Sequence, residues 1–372
     1  MSRTVAVIGG GYGGAAVAKA LEGEADVVLI DPRDAFVNAA GSLRALTRPD
    51  WAGNMFFPFD TLLPHGEVVR DRAVSVDPGG VTLASGRRVD ADYLVLATGS
   101  SYTYPAKPKS DSTLDALEDL RRSHMEVADA DTVLILGAGP VGLELAGEIK
   151  EVWPHKHVTL VDPAGELLPG FEPEVVRELR GQLDALGVDL RLGTSLATMP
   201  TTEPGRTGAF TVTSTAGDEI TADIWFRAYG VHVNSDYLAD GRLTTRTAEG
   251  RVPVTDTLHV HGHEHVYAVG DITDVDEAKM AGYAMQHAEV VAKNIASQLR
   301  GEAPTATYRP LPHPMILLPL GPRGGVGQLP SPDGPFVAPT AMVSEYKGAD
   351  LFTGRFVGQF GPTAATATTP TN

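Results

Sequence analysis

The sequence predicts an α/β protein that consists of two Rossmann-like domains and a small C-terminal α/β domain. The first observation behind this prediction is a pattern that occurs twice: an apolar strand, a glycine-rich turn, a helical segment and a second apolar strand that ends in an acidic residue. The second observation is that residues 310–361 are rich in proline and glycine and contain only short apolar runs. Repeated strand–helix–strand units build doubly wound parallel sheets.

The first unit has its glycine-rich turn directly after the apolar run 5–8. The glycines are Gly9, Gly11 and Gly14, in the spacing of the G-x-G-x-x-G motif. The first permits a tight turn, the second lets the backbone approach a pyrophosphate, and the third permits close packing of helix on strand. Asp31 ends the next strand, where its carboxylate can accept hydrogen bonds from a ribose. We therefore predict a dinucleotide site in this unit.

The second unit has the same arrangement, with Gly137, Gly139 and Gly142 in the turn and Asp162 at the end of the following strand. A carboxylate at this point accepts a hydrogen bond from the 2′-hydroxyl of NADH and repels the 2′-phosphate of NADPH. Residues 163–165 contain no Arg or Lys that could compensate for a phosphate. The sequence therefore favours NADH over NADPH.

Two dinucleotide sites in one chain are typical of a hydride relay from a nicotinamide to a flavin. A later apolar strand ends in Gly270-Asp271, where a carboxylate can hold a ribityl hydroxyl. We predict a long helix after it, from about Ala278 to Leu299, whose positive end would face the flavin near Lys279.

The repeat also predicts how the chain divides into domains. We expect residues 1–108 and 252–308 to form a discontinuous domain for the flavin nucleotide, and residues 109–251 to form the NADH-binding domain between them. Residues 309–362 form the C-terminal domain, and residues 363–372 read as a disordered tail. Within the middle domain, a helix near residues 114–127 is expected to turn one apolar face to the core, a face on or near which Leu114, Leu117, Leu120 and Met125 lie.

Composition excludes several classes of protein. The chain has 372 residues, no cysteine and a net charge of −17. Without cysteine there is no disulfide, no cysteine-ligated metal cluster and no dithiol redox relay. The acidic balance argues against a nucleic-acid partner. No apolar run approaches the roughly 18 residues that span a bilayer, and the start shows neither a signal peptide nor a Met-Gly myristoylation site. We therefore expect a cytoplasmic protein with at most peripheral membrane contact. The sequence leaves the oligomeric state open between monomer and homodimer.

One group of histidines could in principle bind a metal. His259, His261, His263 and His265 alternate, which on a strand would place four imidazoles on one face. Gly262 interrupts the run, however. We interpret the group as a solvated loop and predict no metal site.

Several longer runs, together with the glycine turns, are shared with a known family. They are the turns 9–14 and 137–142, the strand ends Ala97-Thr98-Gly99 and Val266 to Asp271, and the runs Leu43-Arg44-Ala45, Gly142 to Lys150, Lys279-Met280-Ala281 with His287-Ala288, Gly325 to Gln328, and Lys347 with Asp350-Leu351-Phe352. The chain resembles the pyridine-nucleotide-dependent flavoprotein oxidoreductases, and within them the branch that contains ferroptosis suppressor proteins, apoptosis-inducing-factor-like proteins and type II NADH dehydrogenases. The resemblance covers nearly the whole chain.

The resemblance implies non-covalently bound FAD, NAD(P)H as the reductant and typically a quinone as the acceptor. By position, it assigns to FAD the residues Gly9, Gly11, Gly14, Asp31, Arg44, Val74 (through its backbone), Ala97, Thr98, Gly99, Asp271 and Lys279. It assigns to NADH the residues Gly137, Gly139, Gly142, Asp162 and Gly230. Glu144 matches a family glutamate near the nicotinamide, and Glu144 and Lys279 are the candidate catalytic residues.

The chain departs from the family pattern at two places. Val37-Asn38 stands where relatives have a histidine pair, and Tyr229 replaces a threonine before Gly230. With the missing myristoylation start, these departures argue against a membrane-attached enzyme with a lipid quinone as its acceptor.

The function predicted from these features is transfer of hydride from NADH to FAD, followed by electron transfer to a quinone-like small molecule without a cysteine relay. Three alternatives remain open. They are a reductase for ferredoxin or rubredoxin, an oxidoreductase for one intermediate of specialised metabolism, and a flavin-bearing binding protein that senses NADH. The net charge of −17 disfavours the first, because ferredoxins and rubredoxins are themselves acidic.

Overall fold

The structure, a computed structural model, describes residues 3–367. Residues 3–101 contain the strands β1 (Thr4–Ile8), β2 (Asp26–Ile30), β3 (Ala35–Val37), β4 (Phe56–Pro58), β5 (Glu67–Val69), β6 (Ala73–Asp77), β7 (Gly80–Leu83), β8 (Arg88–Asp90), β9 (Tyr93–Leu96) and β10 (Ser100–Ser101), and the helices α1 (Tyr12–Leu21), α2 (Ser42–Thr47) and α3 (Phe59–Leu62). Residues 102–238 contain α4 (Thr113–Asp129), β11 (Thr132–Leu136), α5 (Pro140–Val152), β12 (His157–Asp162), α6 (Pro173–Ala185), β13 (Val188–Leu192), β14 (Phe210–Thr213), β15 (Glu219–Ala222), β16 (Ile224–Arg227) and β17 (His232–Val233). Residues 266–367 contain β18 (Val266–Ala268), α7 (Ala281–Leu299), β19 (Ile316–Leu320), β20 (Gly324–Ser331), β21 (Gly334–Ala338), α8 (Thr340–Val343), α9 (Thr353–Phe360) and α10 (Ala364–Ala367).

The first sheet consists of five parallel strands in the order β18-β9-β1-β2-β5. Its central strand, β1, is apolar from Val5 to Ile8 because both of its faces are covered there. Val5 and Val7 belong to the core beneath α1 and α7, whereas Ala6 and Ile8 belong to the core shared with the sheet β6-β7-β8. Strand β18 follows the second unit in sequence, so this sheet contains chain from both sides of that unit.

The second sheet consists of four parallel strands in the order β13-β12-β11-β16. The last sheet, β19-β20-β21, is antiparallel and packs on α5 and α6 of the second unit. The predicted α/β class with two Rossmann-like sheets is therefore confirmed.

The two places where the chain passes between the first and second units lie side by side. Strand β10 pairs with β17 in antiparallel fashion, Ser100 opposite Val233 and Ser101 opposite His232. Asn234, just beyond, donates its backbone N–H to the carbonyl of Gly99 at 3.0 Å. The entry to the second unit and the exit from it are thus hydrogen-bonded to each other.

Two helices differ from their predicted form. The buried residues of α4 are Ala116, Leu120 and Val127, whereas Leu114 and Met125 are 77% and 58% exposed. The predicted face was wrong at these two positions because the small Ala116, rather than the larger neighbours, faces the core. Helix α7 begins at Ala281, later than predicted, after an extended Met280. Of the helices between residues 3 and 367, none combines the length and the apolar composition needed to cross a bilayer.

The predicted disordered tail is wrong for its first residues. Thr363 is buried, and α10 packs against the 3-10 turn Ala52–Met55. A β-carbon placed on Gly53 would lie 2.9 Å from the Ala365 β-carbon, so the contact requires glycine. Residues 368–372 lie outside the described part of the chain.

A buried ion pair joins α2 of the first unit to α5 of the second. Arg44 Nη2 lies 2.7 Å from Glu148 Oε1, and both side chains are at most 4% exposed. Arg44 Nη1 also donates to the Ala349 carbonyl at 2.9 Å, which attaches the C-terminal segment to the same point. Trp51 covers the guanidinium with its ring.

Glu148 is one of three acidic residues spaced along α5, with Glu144 one turn before it and Glu151 one turn after it. Glu151 pairs with Arg323 at 2.9 Å and with Arg48 at 3.5 Å. Helix α5 therefore carries carboxylates that meet cations from the first unit and from the C-terminal segment. Only the Arg44–Glu148 pair among them is almost completely removed from water.

We predict that Arg44→Met lowers the free energy of unfolding by roughly 3–5 kcal/mol, because it leaves the Glu148 carboxylate buried without its cation. Urea denaturation at neutral pH measures the loss. Arg177→Ala is the control, since Arg177 pairs with Glu174 on the exposed surface of α6 and should contribute little. The double variant Arg44→Met/Glu148→Gln should recover part of the loss. If Arg44→Met costs no more than the control, the pair does not hold the units together.

Candidate functional site

A cavity of about 560 Å³ lies where the first unit, the second unit and the C-terminal segment meet. It opens at the carboxyl ends of β1, β2, β9 and β18, where ligands bind in doubly wound sheets. The predicted site residues that line it are Gly9, Gly11, Asp31, Ala97, Thr98, Gly99, Glu144, Asp271 and Lys279. The structure thus brings together residues from four strand ends that are far apart in sequence.

The first glycine turn is closely packed where the motif requires it. A β-carbon on Gly14 would lie 1.8 Å from the Gly9 carbonyl oxygen, and one on Gly9 would lie 2.5 Å from that of Ala97. Around Gly11, by contrast, the space is open within 4 Å. Helix α1 begins immediately after it, so its free N–H groups face the cavity side of the turn. This geometry suits a phosphate or diphosphate group.

Asp31 is fixed by backbone donors from both sides. Its carboxylate accepts the Gly10 N–H at 2.6 Å and the Arg33 N–H at 2.8 Å. Burial raises the pKa of this carboxyl, and the nearby positive charge of Arg33 opposes the increase. The Arg33 Nε atom is buried and has no hydrogen-bond partner among residues 3–367. A free donor and a fixed carboxylate at the same edge suit a phosphorylated ribose.

Thr98 and Gly99 are held by Asn234, which sequence reasoning missed. Thr98 Oγ1 donates to the Asn234 carbonyl at 2.6 Å, and Asn234 Nδ2 donates back to the Thr98 carbonyl at 3.1 Å. Asn234 itself lines the cavity. No motif marks it, because its contact arises only when β10 and β17 pair.

The two candidate catalytic residues lie in the same cavity but have different partners. Glu144 Oε1 accepts a hydrogen bond from Lys347 Nζ at 2.8 Å, and Lys347 also donates to the Leu317 carbonyl at 2.9 Å. Lys279 Nζ donates to the Val275 carbonyl at 2.7 Å. The structure therefore pairs Glu144 with Lys347, a residue shared with the family but given no role by the sequence.

Burial shifts the pKa of both Glu144 and Lys279. It raises the pKa of Glu144, and the positive charge and hydrogen bond of Lys347 counteract the rise. It lowers the pKa of Lys279. Lys347 belongs to a π-turn, Ser344–Gly348, a local widening of the helix that is frequent at functional sites.

The second unit repeats the geometry of the first. Asp162 accepts the Ala138 N–H at 2.6 Å and the Ala164 N–H at 2.7 Å. Asp31 accepts the N–H groups of Gly10 and Arg33 in the same way. A β-carbon on Gly142 would lie 1.9 Å from the Gly137 carbonyl oxygen. The residues predicted to hold NADH lie outside the cavity lining: Gly137, Gly139, Gly142, Asp162 and Gly230. Helix α5 of the second unit reaches the cavity through Pro140, Val141 and Glu144.

Three residues that the resemblance assigns to FAD also lie outside the lining: Gly14, which packs against the Gly9 carbonyl, Val74 and Arg44. Val74 is 49% exposed on β6. Arg44 lies beneath the cavity, and its guanidinium is occupied by Glu148 and the Ala349 carbonyl. This differs from a free cation that meets a ligand, because α2 turns the Arg44 side chain toward α5. A role of Arg44 at the cofactor would act through the packing of α2.

Asn38, at one departure from the family pattern, links α1 to the C-terminal segment beside the cavity. It is fully buried, accepts the Tyr12 hydroxyl at 2.8 Å and donates Nδ2 to the Leu351 carbonyl at 2.7 Å. Leu351 and Phe352 both have positive φ, +53° and +66°, a strained conformation for side chains of this size. Phe352 lines the cavity.

The C-terminal wall of the cavity is apolar. It is formed by Met315, Ile316, Leu317, Leu329 and Phe352.

The histidine group lies elsewhere. His263 and His265 contact the carbonyls of Leu243 and Pro78, and no group of three or more His, Asp or Glu side chains among residues 3–367 is placed to hold a metal ion.

Comparison with known proteins identifies the family. The family model described as pyridine nucleotide-disulphide oxidoreductase matches residues 3–292. The chain belongs to this family. Its members are oxidoreductases that use FAD and a nicotinamide dinucleotide.

The similarity extends over the whole chain. Ferroptosis suppressor protein 1 of Taeniopygia guttata is 33% identical over 94% of this chain and 93% of its own length. Apoptosis-inducing factor homolog B of Dictyostelium discoideum is 28% identical over 96% of both. Among solved structures, the sulfide:quinone oxidoreductase of Aquifex aeolicus superposes with a TM-score of 0.76 at 19% identity, over 97% of this chain and 92% of that one.

We predict that Lys347→Met destabilises the protein more at pH 8 than at pH 5. Because burial raises the pKa of Glu144 above its value in the unfolded chain, the favourable contribution of this carboxyl is present at low pH and is lost as the pH rises through its native pKa. Removal of the ammonium raises that pKa further, so the loss should reach on the order of 1–3 kcal/mol at pH 8 and be smaller at pH 5.

Urea denaturation at the two pH values measures the difference. In a Glu144→Gln background the Lys347→Met loss should no longer depend on pH. An equal loss at both pH values in the wild-type background contradicts the assignment of Glu144 as the titrating partner.

Proposed function

We propose that the chain is an FAD-dependent NADH oxidoreductase that passes electrons to a small, quinone-like ring molecule. The observation that carries the proposal is the make-up of one cavity. The glycine turn of the first unit, the partly buried Glu144 of the second unit and an apolar wall from the C-terminal segment all line the same space. A nucleotide cofactor, a reductant and an apolar acceptor can therefore meet there.

FAD, when bound, accepts a hydride from a nicotinamide and passes two electrons onward. The residues that would hold it are those of the first unit. The N–H groups at the start of α1 would meet its diphosphate, Asp31 would meet its adenosine ribose, and Asp271 would meet its ribityl chain. Thr98 and Gly99, clamped by Asn234, form the floor beside it. The fit rests on the open space at Gly11 and on the free Arg33 donor.

The pair Glu144–Lys347 orients the reductant. A carboxylate held by an ammonium at 2.8 Å keeps one direction, so its remaining lone pairs can accept the N–H of a nicotinamide carboxamide. Lys347 is itself fixed by the Leu317 carbonyl. The protein thereby contributes orientation rather than a proton to the hydride step.

Asp162 supports the preference for NADH. Its carboxylate is anchored at the turn by the N–H groups of Ala138 and Ala164 and remains half-exposed at the strand end. A second anion, such as a 2′-phosphate, would meet it without a neighbouring cation in residues 163–165.

The apolar wall supports a ring acceptor. Met315, Leu329 and Phe352 offer contact area to a flat apolar molecule and few hydrogen-bonding groups. The chain contains no cysteine, so in this proposal electrons leave FAD without a cysteine relay. The name of one structural neighbour, sulfide:quinone oxidoreductase, is compatible with such an acceptor.

We predict that the purified protein is yellow, that NADH bleaches it without oxygen, and that ring quinones restore its colour faster than ferredoxin or rubredoxin do. Stopped-flow absorbance with an acceptor panel measures both steps. Absence of flavin, or a flavin that NADH leaves oxidised, contradicts the proposal. Slow turnover with every acceptor and a stable complex of NAD⁺ with reduced flavin would instead favour a sensing role.

We predict that Asp162→Ala lowers kcat/KM for NADH about tenfold and narrows the gap to NADPH, because a charge-assisted hydrogen bond and a repulsion are both lost. Steady-state rates with each reductant measure the ratio. Asp189→Ala is the control, since Asp189 lies on the neighbouring strand β13 and its carboxylate accepts from Arg191. An unchanged NADH/NADPH ratio removes Asp162 from the site.

A further inference from the structure

Lys107 reaches the cavity from the segment that leads out of the first unit. Its Nζ donates to the Ser100 carbonyl at 2.5 Å and lies 3.3 Å from Ser100 Oγ. It lines the cavity, and burial lowers the pKa of its ammonium while the negative charge of Asp271 opposes that change. Neither the glycine motifs nor the family resemblance assigns this lysine a role.

Ser100 passes the contact on to Asp271. Its Oγ donates to Asp271 Oδ2 at 2.5 Å. A serine hydroxyl has one hydrogen to donate, whereas an ammonium can only donate. The Ser100 hydrogen points to the Asp271 carboxylate that accepts it, and the Lys107 ammonium, through the Ser100 carbonyl and Oγ, holds Ser100 in the position from which it donates. The lysine thus fixes the position of Ser100, and the Ser100 hydroxyl fixes the orientation of the carboxylate.

Asp271 is held at its backbone by a separate contact. Gly270, with φ of +74°, donates its N–H to His287 Nδ1 at 3.1 Å, inside the fold. That contact fixes the turn but leaves the Asp271 side chain free to rotate. The contact from Ser100 removes this freedom. Backbone and side chain are therefore constrained from opposite sides of the cavity floor.

We propose that Lys107 is a positioning residue for the flavin nucleotide: through Ser100 it orients the Asp271 carboxylate so that the carboxylate accepts a hydroxyl of the bound ribityl chain. The inference rests on the proposed function, since it needs a flavin nucleotide in the cavity. Lys107 acts before any electron transfer, by pre-forming the acceptor and reducing the ordering required when the nucleotide binds.

The test measures how tightly the holoenzyme retains FAD. Holoenzyme is diluted, and the fluorescence of released FAD gives the dissociation constant at equilibrium. Lys107→Met should weaken retention about tenfold, the scale of one charge-assisted hydrogen bond. Ser100→Ala should weaken it to a similar extent, and the double variant no further than either single one, because both act through one carboxylate. Lys107→Arg should restore most of the affinity.

Lys109→Met is the matched control. Lys109 lies two residues away, is exposed and has its ammonium over the Tyr104 ring. It should retain FAD like the wild type. The thermal unfolding temperature of each variant is also measured after FAD has been removed. If Lys107 only stabilises the loop, Lys107→Met should lower this temperature strongly. If Lys107 is a positioning residue, the temperature should change little.

The possible results separate cleanly. Wild-type FAD retention in Lys107→Met, or losses that add in the double variant, would overturn the inference and leave the proposed function intact. A loss in Lys107→Met that appears equally in thermal unfolding without FAD would reduce Lys107 to a structural role. A wild-type protein that carries no flavin would overturn the proposed function itself.

Discussion

One ion pair that is almost completely removed from water, Arg44 with Glu148, joins the first unit to the second. Two charges in such a place are unfavourable when separated, so the first and second units have one docking position in which both are satisfied. The carbonyl of Ala349 takes another guanidinium N–H, which brings the C-terminal segment to the same point. The cavity exists because these three parts meet, and its Glu144 lies one turn from Glu148 on α5.

The two nucleotide units share more than a sequence motif. In each, the acidic residue at the end of the second strand accepts an N–H from the glycine turn at 2.6 Å and another from two residues ahead of itself. Each acid therefore braces the turn that is to hold a diphosphate. The units differ in solvation: Asp31 is buried within the cavity lining, whereas Asp162 is half-exposed.

Local patterns in the sequence predicted the parts of the site that are themselves local. Glycine spacing and the strand-end acids gave the turns correctly, since close approach such as that of Gly14 to Gly9 leaves room for no other residue. The partner of Glu144 and the clamp by Asn234 could not be predicted in this way, because both arise where segments distant in sequence meet. For the same reason Arg44 could be recognised as a family residue while its partner, Glu148, remained unassigned. On α4, large apolar residues proved a poor guide to the buried face.

The pairing of β10 with β17 has a consequence for how this architecture can be rebuilt. Paired residues of an antiparallel ladder, here Ser100 and Val233, have α-carbons roughly 5 Å apart. A gap of that size is closed by one or two residues. The second unit is thus an insertion into the first, and its first and last residues lie next to each other at β10 and β17. A unit that replaced it would enter and leave the first unit at the same two strands, and would also have to supply a partner for Arg44 and a surface for the sheet β19-β20-β21.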